Sequence, residues 1–195
     1  MTVLNMRRSP WLIALGAGLW VAMIVVAWYV FWPREGLRAS VLEHPFAVTE
    51  LSFIHLGQEV TLDTWDNRWR LVFFGYSRCP DVCPITMAHL AQFYQGLTPK
   101  AQQDIQVIMI SVDPADTAEV IQNYAQGFDQ HFVGLTGSAS QIAQAAKSFF
   151  VGYQQLPDEQ FSHTEALFVV DPEGLLRFIY NSDNLRYLAS DWSKW

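Results

Sequence analysis

The sequence predicts an α/β fold, a central mixed sheet flanked by helices, with one transmembrane helix at its N-terminal end. Three observations carry this expectation. Between residues 69 and 150, short apolar runs alternate with longer amphipathic segments, the order of a sheet that is parallel in part. A further apolar pair then brackets Asp171-Pro172-Glu173-Gly174, which has Pro and Gly where a hairpin turn needs them. Finally, residues 11–32 contain no charged side chain.

Each element follows from its residues. Residues 33–46 are mixed, with a proline near each end, and read as a linker. Residues 47–62 read as a hairpin around Leu56-Gly57-Gln58, followed by a turn at residues 63–67. Trp69 to Tyr76 is the first strong strand. Its run Leu71-Val72-Phe73-Phe74 implies burial on both faces, as in a central strand. An amphipathic helix is expected over Ile85–Leu97, ended by Thr98-Pro99-Lys100. Ile105–Val112 is a second apolar strand, closed by Asp113-Pro114. Asp116-Thr117 can cap a helix over Ala118–Phe128. His131–Leu135 is a short strand, and Ser138 or Ser140 can cap a helix over Gln141–Phe150. Val151–Ser162 shows no period and reads as irregular. Ala166–Val170 and Leu175–Tyr180 form the last hairpin, and the C-terminal stretch reads as helical from about Asp183.

The chain of 195 residues is 51% apolar and only 16% charged, and much of that bias sits at one end. The 22 residues from Trp11 to Trp32 would rise roughly 33 Å as a helix, enough to cross a hydrocarbon core of about 30 Å. Trp11 at one end, and Trp28, Tyr29 and Trp32 at the other, suit the membrane interfaces. The run is long for a cleaved signal peptide and reads as an uncleaved signal-anchor. Arg7 and Arg8 precede it, and the positive-inside bias puts residues 1–10 in the cytoplasm. The expectation is a single pass through the inner (cytoplasmic) membrane, with residues 47–195 as a soluble domain on the exported, periplasmic side.

The chain carries a net charge of −7, and removing the two positive charges of Arg7 and Arg8 leaves −9 on the remainder. Such a surface argues against nucleic acid or an anionic membrane surface as a partner.

The only two cysteines, Cys79 and Cys83, lie in Gly75-Tyr76-Ser77-Arg78-Cys79-Pro80-Asp81-Val82-Cys83-Pro84, at the junction of the first long strand and its helix. A dithiol at that junction makes the fold thioredoxin-like. In an exported domain the pair can be a structural disulfide, a redox couple or a metal site. A bridge closing so short a loop would stabilise the fold only weakly. Three residues separate the cysteines, where thioredoxin-like oxidoreductases have two. Positions i and i+4 share a helix face with Cβ atoms about 5–6 Å apart, whereas a disulfide wants about 3.5–4.5 Å. Two sulfurs on one face can also grip a soft ion such as copper(I), and copper(II) would want an imidazole as well. Of the five histidines, His44, His55, His89 and His131 read as surface or half-buried side chains. His163 ends the irregular loop beside the Ala166 strand, and its spacing alone leaves a ligand role open. Met87 reads as core, and Asp113 as either a turn residue or an acceptor near the dithiol.

Five blocks together resemble the Sco/SenC family, membrane-anchored thioredoxin-like copper-binding proteins. They are Gly75–Pro84, Ser111-Val112-Asp113-Pro114, Leu135-Thr136-Gly137, Ala146-Lys147-Ser148-Phe149-Phe150, and His163-Thr164 with Phe168 to Gly174. The resemblance spans about residues 45–180. It implies that Cys79, Cys83 and His163 are the copper ligands. It also implies that the protein delivers copper to the binuclear copper centre of cytochrome c oxidase, or keeps the cysteines of that centre reduced. The partner so implied is the copper-accepting subunit of the oxidase, with other thioredoxin-like or copper-carrier proteins as further candidates. The alternative is a membrane-tethered thiol–disulfide oxidoreductase in which Cys79 and Cys83 act without an obligatory metal. Three positions depart from the family pattern. No arginine follows Asp113-Pro114, where Ala115-Asp116-Thr117 stands instead. Ser162 replaces the acidic residue that often precedes the ligand histidine. Arg78 stands beside Cys79, where its cation would favour the thiolate.

Overall fold

In the computed structural model, residues 18, 20–28, 36–157 and 160–195 are described, and residues 37–195 form one compact unit. Most of the expected membrane segment, and residues 1–10, lie outside the described residues. Within it, residues 18 and 20–28 are helical, with exposed Trp20, Val21, Ile24 and Trp28. No helix among the described residues is long and apolar enough to cross a membrane.

The compact unit is built on a six-stranded sheet. Its strands are β1 (Ser40–Ala47), β4 (Trp69–Gly75), β5 (Ile105–Ser111), β6 (Val133–Leu135), β9 (Ala166–Val170) and β10 (Leu175–Asn181). The order is β1-β10-β9-β4-β5-β6. β4, β5 and β6 are parallel, and the other three pair antiparallel. β4 and β5 are central, and Leu71 to Phe74 and Val107 to Ile110 are all buried, as their unbroken apolar runs predicted. β10 borders β1 and alternates between buried and half-buried residues.

Side chains alternate between the two faces of a strand. Phe74 therefore lies on one face of β4, against Phe149 at 5.4 Å and Phe168 at 6.0 Å. Phe73 and Gly75 lie on the other, beneath Cys83. That second face is covered by α1 (Val82–Gln95), which opens the crossover from β4 to β5, with the short α2 (Pro99–Gln103) after it. α3 (Ala118–Gln126) crosses from β5 to β6, and α4 (Ala139–Ser148) follows β6. Thr117 caps α3 by accepting the Val120 N–H at 3.2 Å. Ser138 and Gln141 cap α4 reciprocally, which satisfies donors that the first helical turn leaves free.

Several expectations are corrected. Residues 40–46 of the expected linker belong to β1, whose register shifts between Val41 and Phe46. That irregularity removes the period-two signal, and Pro45 is tolerated because β1 is an edge strand. α1 begins at Val82 rather than Ile85. Pro84 stands in its first turn, where a missing N–H costs no helical bond. Thr98-Pro99 starts α2 as well as ending α1, since Thr98 Oγ1 accepts the Ala101 N–H at 3.3 Å. The stretch read as irregular contains a hairpin of β7 (Tyr153–Gln155) and β8 (Phe161–His163). Strands of three residues with exposed Gln154, Gln155 and Ser162 are too short and polar to show a period. The C-terminal stretch is a 3₁₀ turn at Leu185–Tyr187 and a short α5 (Leu188–Trp192). The early hairpin of β2 (Ser52–His55) and β3 (Gln58–Thr61) is as expected.

Arg70 is a charge inside the first strong strand. It is fully buried, and its guanidinium donates to the carbonyls of Leu62 and Asp171. Burial lowers its pKa, against the opposing pull of Asp63 and Asp171.

Candidate metal centre

The cysteines and His163 arrive from two separate pieces of backbone, the turn leading into α1 and the β7–β8 hairpin. Cys79 lies in the turn after β4 and is half-buried, while Cys83 is the second residue of α1 and is buried. His163 is the last residue of β8, directly opposite Tyr153 in β7. Their donor atoms all lie within 4.8 Å of one another. Cys83 Sγ is 3.6 Å from His163 Nε2, and the Cys83 N–H points to Cys79 Sγ at 3.5 Å.

Local packing sets these positions. A Cβ on Gly75 would stand 2.8 Å from Cys83 Sγ, so glycine there leaves the space that the sulfur fills. The His163 ring meets Phe73 and Tyr76 edge-on, at 6.0 and 6.2 Å. Its Nδ1 lies 3.2 Å from the Thr164 carbonyl oxygen. A carbonyl only accepts, so this contact requires the proton on Nδ1 and leaves the Nε2 lone pair facing the sulfurs. Orienting a ligand imidazole is a task often given to a carboxylate, and a backbone carbonyl serves equally. Ser162 in place of an acidic neighbour therefore does not leave the ring unguided.

Two buried acids hold the turn that carries Cys79. Asp116 Oδ2 accepts the Ser77 N–H at 2.8 Å, and Oδ1 accepts the Ser77 hydroxyl. Arg78 donates to Asp113 Oδ2 at 2.7 Å. The Arg78 guanidinium, expected to act on Cys79, thus also meets a carboxylate at the end of β5. Asp113 also accepts the Ala115 N–H through Oδ1, so it serves both the turn and the dithiol loop. Sequence reasoning took Asp116 for part of a helix cap, but the cap is Thr117 and Asp116 turns inward. No local pattern marks that choice, because Asp and Thr are both good caps. Thr164 was likewise missed as a determinant of the imidazole, since it acts through its backbone.

The two sulfurs differ electrostatically. Burial pushes the Cys83 thiol well above the ordinary range, whereas Cys79 is partly open to solvent. Burial also raises the Tyr76 phenol, whose side chain neighbours Cys79. A cleft of about 160 Å³, lined in part by Cys79, Pro80, Asp81, His163 and Glu165, opens onto the site.

The other histidines are elsewhere. His44 is exposed on β1 and His89 on α1. His55 Nδ1 faces the Gly134 carbonyl oxygen at 3.2 Å, and His131 pairs with Asp129 at 2.9 Å. Met87 is fully buried core. Among the described residues, Cys79, Cys83 and His163 form the one group of three such side chains close enough to share an ion. Two sulfurs and an imidazole are the donor types that copper prefers.

The SCO1/SenC family model matches residues 37–192. The chain belongs to the SCO1/SenC family. Among Sco relatives, the human mitochondrial SCO1 homolog is 33% identical over 148 residues, covering 72% of this chain and 48% of that protein. This Sco chain thus spans about half the length of that relative. The apo Sco1 protein of Thermus thermophilus is similar at a TM-score of 0.74 and 36% identity, covering 83% of this chain and 99% of that one. Arabidopsis thaliana ScoI, solved with copper bound, is similar at 0.68 and 28% identity, covering 77% and 95%. The sheet flanked by helices is therefore the thioredoxin-like Sco fold that the dithiol turn predicted.

Proposed function

We propose that this Sco-family protein binds copper through Cys79, Cys83 and His163. In this reading it serves assembly of the binuclear copper centre of cytochrome c oxidase, by delivering copper or by keeping the cysteines of that centre reduced. The single observation that carries the reading is the convergence of the two sulfurs and His163 Nε2 within 4.8 Å. The His163–Thr164 contact supports it, because it turns the imidazole lone pair toward the sulfurs. When bound, copper is the cargo, and the chain supplies two soft sulfurs and one nitrogen at an open cleft from which it can be released. The recipient is the copper-accepting subunit of the oxidase. The 11–32 segment would tether the domain to the inner membrane on its periplasmic side, a reading supported by its charge-free length.

A competition titration of the reduced protein with copper(I) and copper(II) tests this proposal. One ion per chain, in both oxidation states, is expected. Absence of stoichiometric binding in both states would overturn the copper reading.

One observation favours a second activity, namely the asymmetry of an accessible Cys79 and a buried Cys83. In a thiol–disulfide exchange, Cys79 thiolate attacks a partner disulfide and releases the first partner thiol. Cys83 then attacks the Cys79 sulfur, releases the second, and leaves a Cys79–Cys83 disulfide. The Cys83 proton passes to a base, and His163 Nε2 at 3.6 Å is in reach of it. Negligible turnover of a disulfide substrate by the metal-free protein would count against this activity.

A further inference from the structure

We propose that Asp116 is a positioning residue of the dithiol turn, holding Ser77 so that the Cys79 sulfur stands where Cys83 and His163 can share an ion with it. The inference rests on the copper reading of that site.

Cys83 needs no such help, because α1 fixes its backbone and Gly75 receives its sulfur. Cys79 lies before the helix, in a turn, with its N–H bonded to the Tyr76 carbonyl oxygen at a long 3.3 Å. The segment leading into it is held two residues upstream. Ser77 presents both its N–H and its hydroxyl to the two oxygens of Asp116. The same carboxylate accepts the Ser111 hydroxyl at 2.6 Å, which ties it to the end of β5. The Asp116 backbone is secured as well. Its N–H donates to the Asp113 carbonyl oxygen at 3.0 Å, and its own carbonyl accepts the Thr136 hydroxyl at 3.1 Å. Asp116 is only 4% exposed, so water competes little for these bonds. Hydrogen bonds to a buried carboxylate belong to the strong class. The strap thus runs from the rigid centre of the sheet, through one carboxylate, to the residue two before Cys79.

The test uses the full chain and the variants Asp116→Asn, Ser77→Ala and Ser77→Thr. Asp116→Asn keeps the volume but replaces an acceptor oxygen by a donor. Ser77→Ala removes only the hydroxyl, and Ser77→Thr restores it. Two quantities are read. The first is copper(II) affinity, with the sulfur-to-copper charge-transfer absorption. The second is the equilibrium of the metal-free dithiol with oxidised glutathione, which yields the Cys79–Cys83 disulfide and two reduced glutathiones. Asp116→Asn and Ser77→Ala are expected to weaken copper(II) binding by about tenfold or more and to shift the absorption. Ser77→Thr is expected to match the parent. The glutathione equilibrium in the two weakened variants should move about fivefold toward the disulfide, because closing the bond requires Cys79 to leave the position the strap enforces. If Asp116→Asn fails to fold, the two Ser77 variants decide. Parental affinity, spectrum and glutathione equilibrium in Ser77→Ala would overturn the proposal, whatever its melting temperature. A parent protein that binds no copper would overturn the copper reading instead. The glutathione equilibrium needs no metal, and an unchanged value in Ser77→Ala would then overturn the strap on its own.

Discussion

Cys83 Sγ and His163 Nε2 lie 3.6 Å apart although 80 residues separate them in the chain. The first stands at the start of a helix and the second at the end of a hairpin, and β4 and β9 pair side by side beneath them. If this contact is part of a copper site, His163→Ala removes the only nitrogen from the set. Copper(II) affinity should then fall by more than the 10–100-fold that loss of a mere supporting partner costs, and the charge-transfer absorption should change. Unchanged affinity and spectrum on titration would refute three-ligand binding.

Gly75 touches the same site from below. A methyl group there would stand 2.8 Å from Cys83 Sγ and 2.9 Å from Phe73. Gly75→Ala should therefore cost about 1–3 kcal/mol of stability, as overpacked cores do. It should also weaken copper binding by displacing the sulfur. Denaturant unfolding and copper titration of the same preparation check both effects.

Phe74 occupies the opposite face of that strand, against Phe149 and Phe168. Phe74→Ala should destabilise the domain by about 3–5 kcal/mol. The copper spectrum of the folded fraction should stay as in the parent, since the sheet lies between Phe74 and the sulfurs. A changed spectrum would show that the two faces are coupled.

Asp191 should contribute to the acid sensitivity of the fold. It is fully buried, and burial alone would raise its carboxyl pKa. The Arg38 N–H at 2.7 Å, Lys194 at 3.1 Å and the Tyr180 hydroxyl at 3.0 Å outweigh that and hold it below the usual carboxylate range. A depressed pKa stabilises the fold fully above the unfolded value of about 3.9, and the contribution is lost as pH falls through the folded value. Asp191→Asn should thus cost roughly 1.5–3 kcal/mol at neutral pH. The gap between variant and parent should narrow below about pH 4. Chemical denaturation across pH 3–7 measures it, and a gap independent of pH would remove the carboxylate's charge from the explanation.

Much of this was legible in the residues. Strand and helix alternation from Trp69 to Phe150 and the late hairpin were readable because buried strands are continuously apolar and surface helices are not. The dithiol was legible because thiols at a strand-to-helix turn have few uses. β1 and the β7–β8 hairpin were not legible, since an irregular edge strand and strands of three polar-flanked residues leave no period to detect. The orientation of His163 escaped as well, because the group that sets it is a backbone carbonyl.

The residues alone pointed to the class of fold, the dithiol and, through the family resemblance, His163 as the third ligand. Those depend on side-chain type and local spacing. Folding added the geometry: His163 Nε2 comes to 3.6 Å from Cys83 Sγ, its lone pair points to the sulfurs, and Asp116 faces the dithiol turn instead of capping a helix. These are contacts between distant segments, and no local pattern in the chain encodes a distance across the sheet.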